Sequence, residues 1–332
     1  MSVSYRMVQW NRHKRVYDAL TALAVGAYIA AFVGVGLVVN RADGGVSAPI
    51  LAMRALGTCA LVLLHVALCI GPLARISPLV APLLYNRRHL GVTTFALAAL
   101  HAVLAIGFYG AFGVRFPIAA VVDPPRAGPA FEAMGFGALA TLFVMAATSH
   151  DFWLKNLTPR VWKGIHLCVV GGYALAVLHV AFGALQSEPS RALSAPLLAG
   201  AAIVCGLHLF TGWREVLRDF RGARAADGWI DAGPADALPE GRARAVAVRG
   251  GERIALVRHG GEVCAMSNVC AHQGGPLGEG RVIDGCLTCP WHGYQYGPCS
   301  GASPPPFTER APTHRVRIEN GRVQVRAQED SP

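Results

Sequence analysis

Cys270-Ala-His272, sixteen residues, then Cys289-Pro-Trp-His292 is the stretch from which the rest of the chain is best read. Two thiolates and two imidazoles delivered as Cys–His pairs suit a [2Fe–2S] cluster in which one iron keeps sulfur ligands and the other takes nitrogen. A structural zinc site also accepts two Cys and two His, but zinc fingers usually place both Cys ahead of both His. Small and turn-forming residues flank each pair. Gly274-Gly275-Pro276-Leu277 follows the first, and Gly293-Tyr294-Gln295-Tyr296 with Gly297-Pro298-Cys299 follows the second.

Around these pairs, residues 228–332 read as short β-strands. Arg244–Val248, Arg253–Arg258, Val263–Met266, Arg315–Ile318 and Arg322–Val325 are β-branched or alternate in polarity, and Gly250-Gly251, Gly260-Gly261 and Asn320-Gly321 supply turns. Ligands would then come from two loops of a small β-sandwich, with Pro304-Pro305-Pro306 as a stiff third loop. His259 and His314 fall outside the pattern and are expected on the surface. This segment resembles a Rieske domain. The resemblance implies Cys270 and Cys289 on one iron, His272 and His292 on the other. Rieske proteins of the cytochrome bc type carry an extra Cys in each ligand loop, where this chain has Gly275 and Trp291. The resemblance is therefore to the ferredoxin-type branch, at the lower end of the Rieske potential range.

The preceding residues have a different composition. At 53% hydrophobic, 15% charged and a mean hydropathy of +0.39, the chain is too apolar for an ordinary soluble protein. A run from Tyr17 to Val39, whose only charge is Asp18, is followed by runs at about 50–70, 89–110, 131–149, 163–185 and 193–213. Each is long enough to cross a hydrocarbon core of about 30 Å. Six transmembrane helices are predicted over residues 1–213, giving an α-helical membrane bundle followed by an all-β domain. Residues 214–227 form a basic juxtamembrane connection, continuing the last helix and ending in a brief linker from Ala223 to Gly228.

Charge placement sets the expected orientation, because Lys and Arg accumulate on the cytoplasmic side. Arg6, Arg12, Lys14, Arg15, Arg75, Arg87, Arg88, Lys155, Arg160, Lys163, Arg214, Arg218, Arg221 and Arg224 lie on one side, against Arg41, Arg54, Arg115, Arg126 and Arg191 on the other. Both termini are thereby placed in the cytoplasm, with the protein in the cell's inner membrane. The first run lacks a small-residue cleavage site and reads as a retained helix. The net charge of +10 is accounted for by topology and lipid contact rather than nucleic acid.

Cys59, Cys69, Cys168 and Cys205 lie in predicted helices and read as small packing residues. Cys264, Cys270, Cys286, Cys289 and Cys299 lie in the β domain, where no disulfide frame is evident and a reducing compartment is expected.

Ionisable groups inside a bilayer are costly and usually functional. His65, His101, His166, His179 and His208 lie within predicted helices, and His89 and His150 at helix edges. Thirteen residues separate His166 from His179, about 20 Å along a helix. That distance would hold two haems, one near each face. His101 shares the outer depth of His179 and is its expected partner. The inner partner of His166 is left open among His65, His89 and His208.

With Asn86-Arg87-Arg88-His89-Leu90-Gly91, Leu100-His101, Ser149-His150-Asp151-Phe152-Trp153-Leu154-Lys155, Trp162-Lys163, His166 and His179, residues 15–215 resemble the ferric-reductase-like transmembrane family. That family includes NADPH oxidases, ferric reductases and the haem membrane subunit of the periplasmic methionine sulfoxide reductase system. The resemblance implies a haem-b helical bundle that moves electrons across the membrane. No Gly-x-Gly-x-x-Gly opens a dinucleotide-binding unit; the Rieske-like segment stands where family oxidases carry flavin and nicotinamide domains. The expected function is electron transfer between a cytoplasmic cluster and transmembrane haems, from a cytosolic donor or quinol to an acceptor on the far side. A quinol-linked subunit of a separate reductase and a membrane-anchored redox sensor are the other readings. Only about 40 residues follow His292, too few for the mononuclear-iron domain of a Rieske oxygenase.

Overall fold

The computed structural model describes residues 12–39, 46–77, 79–109, 131–149, 153, 156–187, 191–272, 274–291, 293–305 and 307–326. The chain forms two compact units. One contains residues 12–71 and 86–207, the other residues 72–85 and everything from His208 onward.

The longer helices among the described residues are α1 (Arg12–Val39), α2 (Ala48–Ile76), α3 (Arg87–Tyr109), α4 (Phe131–Thr148), α5 (Pro159–Leu167), α6 (Val169–Phe182) and α7 (Arg191–Phe220). Six spans among the described residues are long and apolar enough to cross a membrane, matching the number expected, with α5 and α6 together forming the fifth. Helix α1 starts five residues before the apolar run and takes in Arg12, Lys14 and Arg15, whose long stems can lie along the helix while their charges reach water. Thr158 caps α5 by accepting from the Val161 amide, and Pro159 fits the first helical position because its missing N–H leaves no bond unmade.

Apolar side chains point outward as well as inward. Leu20, Leu23 and Val38 are 60%, 69% and 67% exposed, a surface that suits hydrocarbon rather than water. Inside, Leu64, Tyr173 and Val204 pack together, as do Cys59, Ala60 and Leu97. Helix α4 approaches α6 at Gly172, where an added Cβ would lie 2.7 Å from the Thr141 methyl. Cysteine packing is only partly as expected. Cys59 is buried, whereas Cys168 and Cys205 are exposed, because their positions on α6's leading edge and α7 turn outward.

Among the described residues the β domain has ten strands: β1 (Ala225–Ala226), β2 (Trp229–Pro234), β3 (Ala243–Val246), β4 (Ile254–His259), β5 (Glu262–Ser267), β6 (Arg281–Ile283), β7 (Cys286–Thr288), β8 (Gln295–Tyr296), β9 (Thr313–Glu319) and β10 (Arg322–Arg326). They form a seven-stranded sheet ordered β1-β2-β10-β9-β5-β4-β3 and a three-stranded sheet β6-β7-β8. Gly260-Gly261 and Asn320-Gly321 take positive φ, as two-residue hairpins need, and set the β4–β5 and β9–β10 registers.

Side-chain alternation divides the core. Ala255 and Val257 of β4, with Cys264 and Met266 of β5, face a cluster holding Leu277, Leu287 and Tyr296. Ile254, Leu256, Val263 and Ala265 face the opposite cluster with Ile230, Val323 and Val325. Both faces of the central hairpin are thus covered, which is why its strands are apolar at nearly every position. His314 is half-buried on β9 rather than exposed, and burial lowers its pKa.

The connection entering this domain is pinned. Ala223 donates to Ala247 and accepts from the Arg249 amide, so the expected linker is already part of the domain's hydrogen bonding. On α7, Arg218 pairs with Glu215, and Arg253 reaches back to both Glu215 and Asp219 at 2.5 and 2.8 Å. The basic juxtamembrane segment thus also carries two acidic residues, and these hold the β domain's Arg253.

Candidate metal centres

Two loops carry the Cys–His pairs, and they share one backbone design. The Gly274 amide donates to Cys270 O, and the Cys270 amide to Gly275 O. The Gly293 amide donates to Cys289 O, and the Cys289 amide to Tyr294 O. Gly274 and Gly293 have φ of +70° and +74°, a conformation glycine adopts without steric cost. Repetition of these bonds explains why a glycine follows each His-bearing segment at the same spacing from its Cys.

The loops face one another. A Cβ at Gly275 would come 2.7 Å from Cys289 Sγ and 3.1 Å from Trp291, so a larger residue would fill the space between the loops. Cys270 and Cys289 are buried. His272 stacks on Tyr294 with ring centroids 4.7 Å apart and planes 6° from parallel. His292 lies outside the described residues, as do Pro306 and His150. The described donors, two buried thiols and an imidazole around a cradle kept open by glycine, fit a [2Fe–2S] cluster.

Sequence reasoning did not single out the residues supporting these ligands. Tyr296 is fully buried; its oxygen lies 3.1 Å from Cys270 Sγ and accepts the His272 amide at 3.3 Å. Burial, and after it the neighbouring Cys270, hold the Tyr296 phenol well above its usual pKa, leaving it a proton donor toward sulfur. Tyr294 donates to Glu309, and burial followed by this carboxylate raises the Tyr294 phenol likewise. Burial pushes the Glu309 carboxyl up, but hydrogen bonds from Tyr294 and from its own and Thr308's amides outweigh this and leave it below its usual value.

Cys264 and Cys299 form a disulfide, with Cα atoms 5.1 Å apart at a sequence separation of 35. This corrects the expectation that the domain holds no disulfide. Strand β5 and the turn after β8 are brought together only by the fold, and the bond lies outside the ligand loops.

In the helical unit, His101 and His179 come together, with ring centroids 6.2 Å apart and edge to face. Their surroundings repeat. His101 Nδ1 lies 2.8 Å from Met53 O, and a Cβ on Gly57, one turn further along α2, would meet the ring at 2.8 Å. His179 Nδ1 lies 2.8 Å from Phe131 O, and a Cβ on Gly135, one turn further along α4, would meet that ring at 2.6 Å. A carbonyl only accepts, so Nδ1 carries the proton in both rings and Nε2 keeps its lone pair. Metal-binding histidines are held in the same way. The site fits bis-imidazole ligation of a haem.

The remaining histidines differ. His65 donates from Nδ1 to Leu61 O at 2.7 Å, and Tyr173 lies against its Nε2 at 3.0 Å, so both ring nitrogens are engaged. His89 Nδ1 lies 2.9 Å from both Asp18 carboxylate oxygens, an acceptor that places a proton on Nδ1. His166 stacks on Trp162 at 3.8 Å, with Nε2 3.3 Å from the Thr148 hydroxyl. Arg87, two residues before His89, lies within electrostatic reach of His166. His208 is exposed on α7.

Residues 228–314 match the family model described as Rieske [2Fe-2S] domain, and residues 55–177 match the ferric reductase like transmembrane component. The ferredoxin component of the naphthalene 1,2-dioxygenase/salicylate 5-hydroxylase systems of Ralstonia sp. is 37% identical over 99 residues, covering 30% of this chain and 94% of that protein. The heme-binding subunit MsrQ of protein-methionine-sulfoxide reductase from Ralstonia nicotianae is 27% identical over 161 residues, covering 48% of this chain and 71% of the relative. A solved complex of reduced oxygenase and oxidized ferredoxin in carbazole 1,9a-dioxygenase aligns with a TM-score of 0.30 and 25% identity, covering 32% of this chain and 100% of the matched chain.

Proposed function

For a chain that belongs to the Rieske [2Fe-2S] domain family through residues 228–314 and to the ferric reductase like transmembrane family through residues 55–177, we propose electron transfer between a cytoplasmic cluster and two b haems toward an acceptor across the membrane. A multi-pass membrane electron-transfer role follows from the two families together. The assignment of sites, direction and partners is our reading. Cys270 and Cys289 hold one iron, His272 and His292 the other. His101 and His179 hold the outer haem, and His166 with His89 the inner one. When bound, these groups supply one-electron carriers.

The protein's residues hold the carriers and tune them. Met53 and Phe131 carbonyls keep Nε2 of His101 and His179 unprotonated for iron, while Gly57 and Gly135 leave room for the rings. This repeated receptor, bringing two imidazoles from separate helices together, is the observation that carries the haem reading. His89 is preferred over His65 because Asp18 engages it through Nδ1, whereas Tyr173 lies 3.0 Å from His65 Nε2; His166 carries a longer contact of the same kind, to Thr148 at 3.3 Å, which a ligand role requires it to give up. Tyr296 directs its hydroxyl at Cys270 and so favours the more negatively charged, reduced cluster. The electron donor is a cytosolic reductant, and the two domain boundaries, 1–213 and 228–332, separate the membrane and aqueous parts of the route.

The test uses the full chain in oriented proteoliposomes. Reducing the cluster on its own face should reduce a membrane-impermeant acceptor on the other, and His179→Ala should stop this while leaving the cluster reducible. A bilayer core of about 30 Å separates the two faces, which makes intermediate carriers necessary. An unchanged rate in His179→Ala would refute the route. Haem reduction by added quinol alone would instead support a quinol-linked subunit, a reading favoured by the similarity to a reductase's heme-binding subunit.

A further inference from the structure

Helix α1 is apolar from Tyr17 onward except at Asp18, its only acidic residue. An ionisable group there asks for a reason. Its carboxylate receives Asn86 Nδ2 at 2.5 Å and lies 2.9 Å from His89 Nδ1 through both oxygens. Asn86 is 2% exposed, so its amide is fixed by burial and in turn fixes the carboxylate. The outer receptors described above place neutral backbone carbonyls behind His101 and His179. Only behind His89, among the haem histidines assigned here, is the described acceptor a carboxylate.

We propose that Asp18 is a positioning residue for the inner haem: it orients His89 with Nε2 toward iron and, through its charge, lowers that haem's midpoint potential relative to the outer one. The inference rests on the reading of His89 as an inner ligand. The physical basis is general. A carboxylate accepting from the far nitrogen of a ligating imidazole makes that imidazole a stronger donor, and stronger donation favours the ferric over the ferrous state. Asn86 moderates the effect by engaging one carboxylate oxygen. The resulting difference between the two haems would arise from α1, a helix carrying no haem ligand itself.

The experiment is an optical redox titration of the purified full-length protein, with haem quantified per chain. Asp18→Asn should retain both haems, raise the inner midpoint by about 59 mV for each tenfold loss of ferric preference, and leave the outer midpoint in place. Asp18→Glu should restore the parent value. Asn86→Ala removes a donor from the carboxylate and should move the same midpoint the opposite way, so the inference can be judged even if Asp18→Asn does not accumulate. Unchanged midpoints in Asp18→Asn or Asn86→Ala, with full haem content, would overturn it. His89→Ala separates the two levels. If it loses the inner haem while Asp18→Asn shifts nothing, the Asp18 role fails and the ligand assignment stands. If His89→Ala keeps both haems with parent spectra, both fail.

Discussion

The rings of His101 and His179 stand 6.2 Å apart, edge to face, each tied through Nδ1 to a carbonyl one helical turn before a glycine on a neighbouring helix. Two separate helix pairs have arrived at the same receptor. The glycine removes the side chain that would occupy the ring's place, and the carbonyl sets the tautomer.

His101→Ala and His179→Ala should therefore each remove the same haem and spare the other, read as loss of one component in a redox-difference spectrum. Gly57→Leu and Gly135→Leu should have the same result, because even a Cβ would approach the rings within 3 Å. Full haem content in the histidine variants would refute the bundle assignment.

Cys270→Ser or His292→Ala should abolish the cluster, measured as iron per chain and the paramagnetic signal of the reduced protein. Gly275→Val should lower occupancy sharply while the β domain stays folded, because its side chain enters the space beside Cys289 Sγ and Trp291. Stoichiometric zinc without a paramagnetic signal would point to a structural site instead.

Tyr296→Phe should keep the cluster and lower its potential. Loss of a donor to sulfur destabilises the reduced state more than the oxidised one; a differential of about 1 kcal/mol corresponds to about 40 mV for one electron. Protein-film voltammetry checks both sign and size. The phenol remains protonated across the working pH range, given its upward shift, so the wild-type hydrogen bond should not be lost near neutrality.

Cys264 is buried and Cys299 exposed. At a sequence separation of 35, the chain-entropy model gives the disulfide about 4 kcal/mol of stabilisation. Reduction should lower the β domain's unfolding temperature, followed by its visible circular dichroism. Rapid alkylation in intact cells should find the pair as thiols if the domain faces the cytosol, where glutathione and thioredoxin keep thiols reduced.

Arg253→Ala should leave the cluster and both haems in place but speed protease cleavage around residues 221–228 several-fold. It removes the ion pairs to Glu215 and Asp219 that hold the β domain to the end of α7. Cleavage at the parent rate would show that the backbone bonds at Ala223 suffice.

Composition and local order determined a great deal of this protein. Apolar run length alone implies the six spans, because hydrocarbon excludes unsatisfied backbone and leaves helices as the economical solution. The Cys-x-His and Cys-x-x-His pairs identify their chemistry because each pair is local in sequence, and a glycine four residues after each Cys reflects a local turn. Strands β2 and β6–β8 were harder to see, since they are short and defined by their partners rather than by alternation. What only the tertiary structure decided are the relations between distant segments: Asp18 with His89, Tyr173 with His65, Met53 and Gly57 with His101, Tyr296 with Cys270, and Cys264 with Cys299. A hydrogen bond reaches about 3 Å and is indifferent to sequence separation, so which nitrogen of a histidine is left for a metal is written in the packing of helices and not in the order of residues.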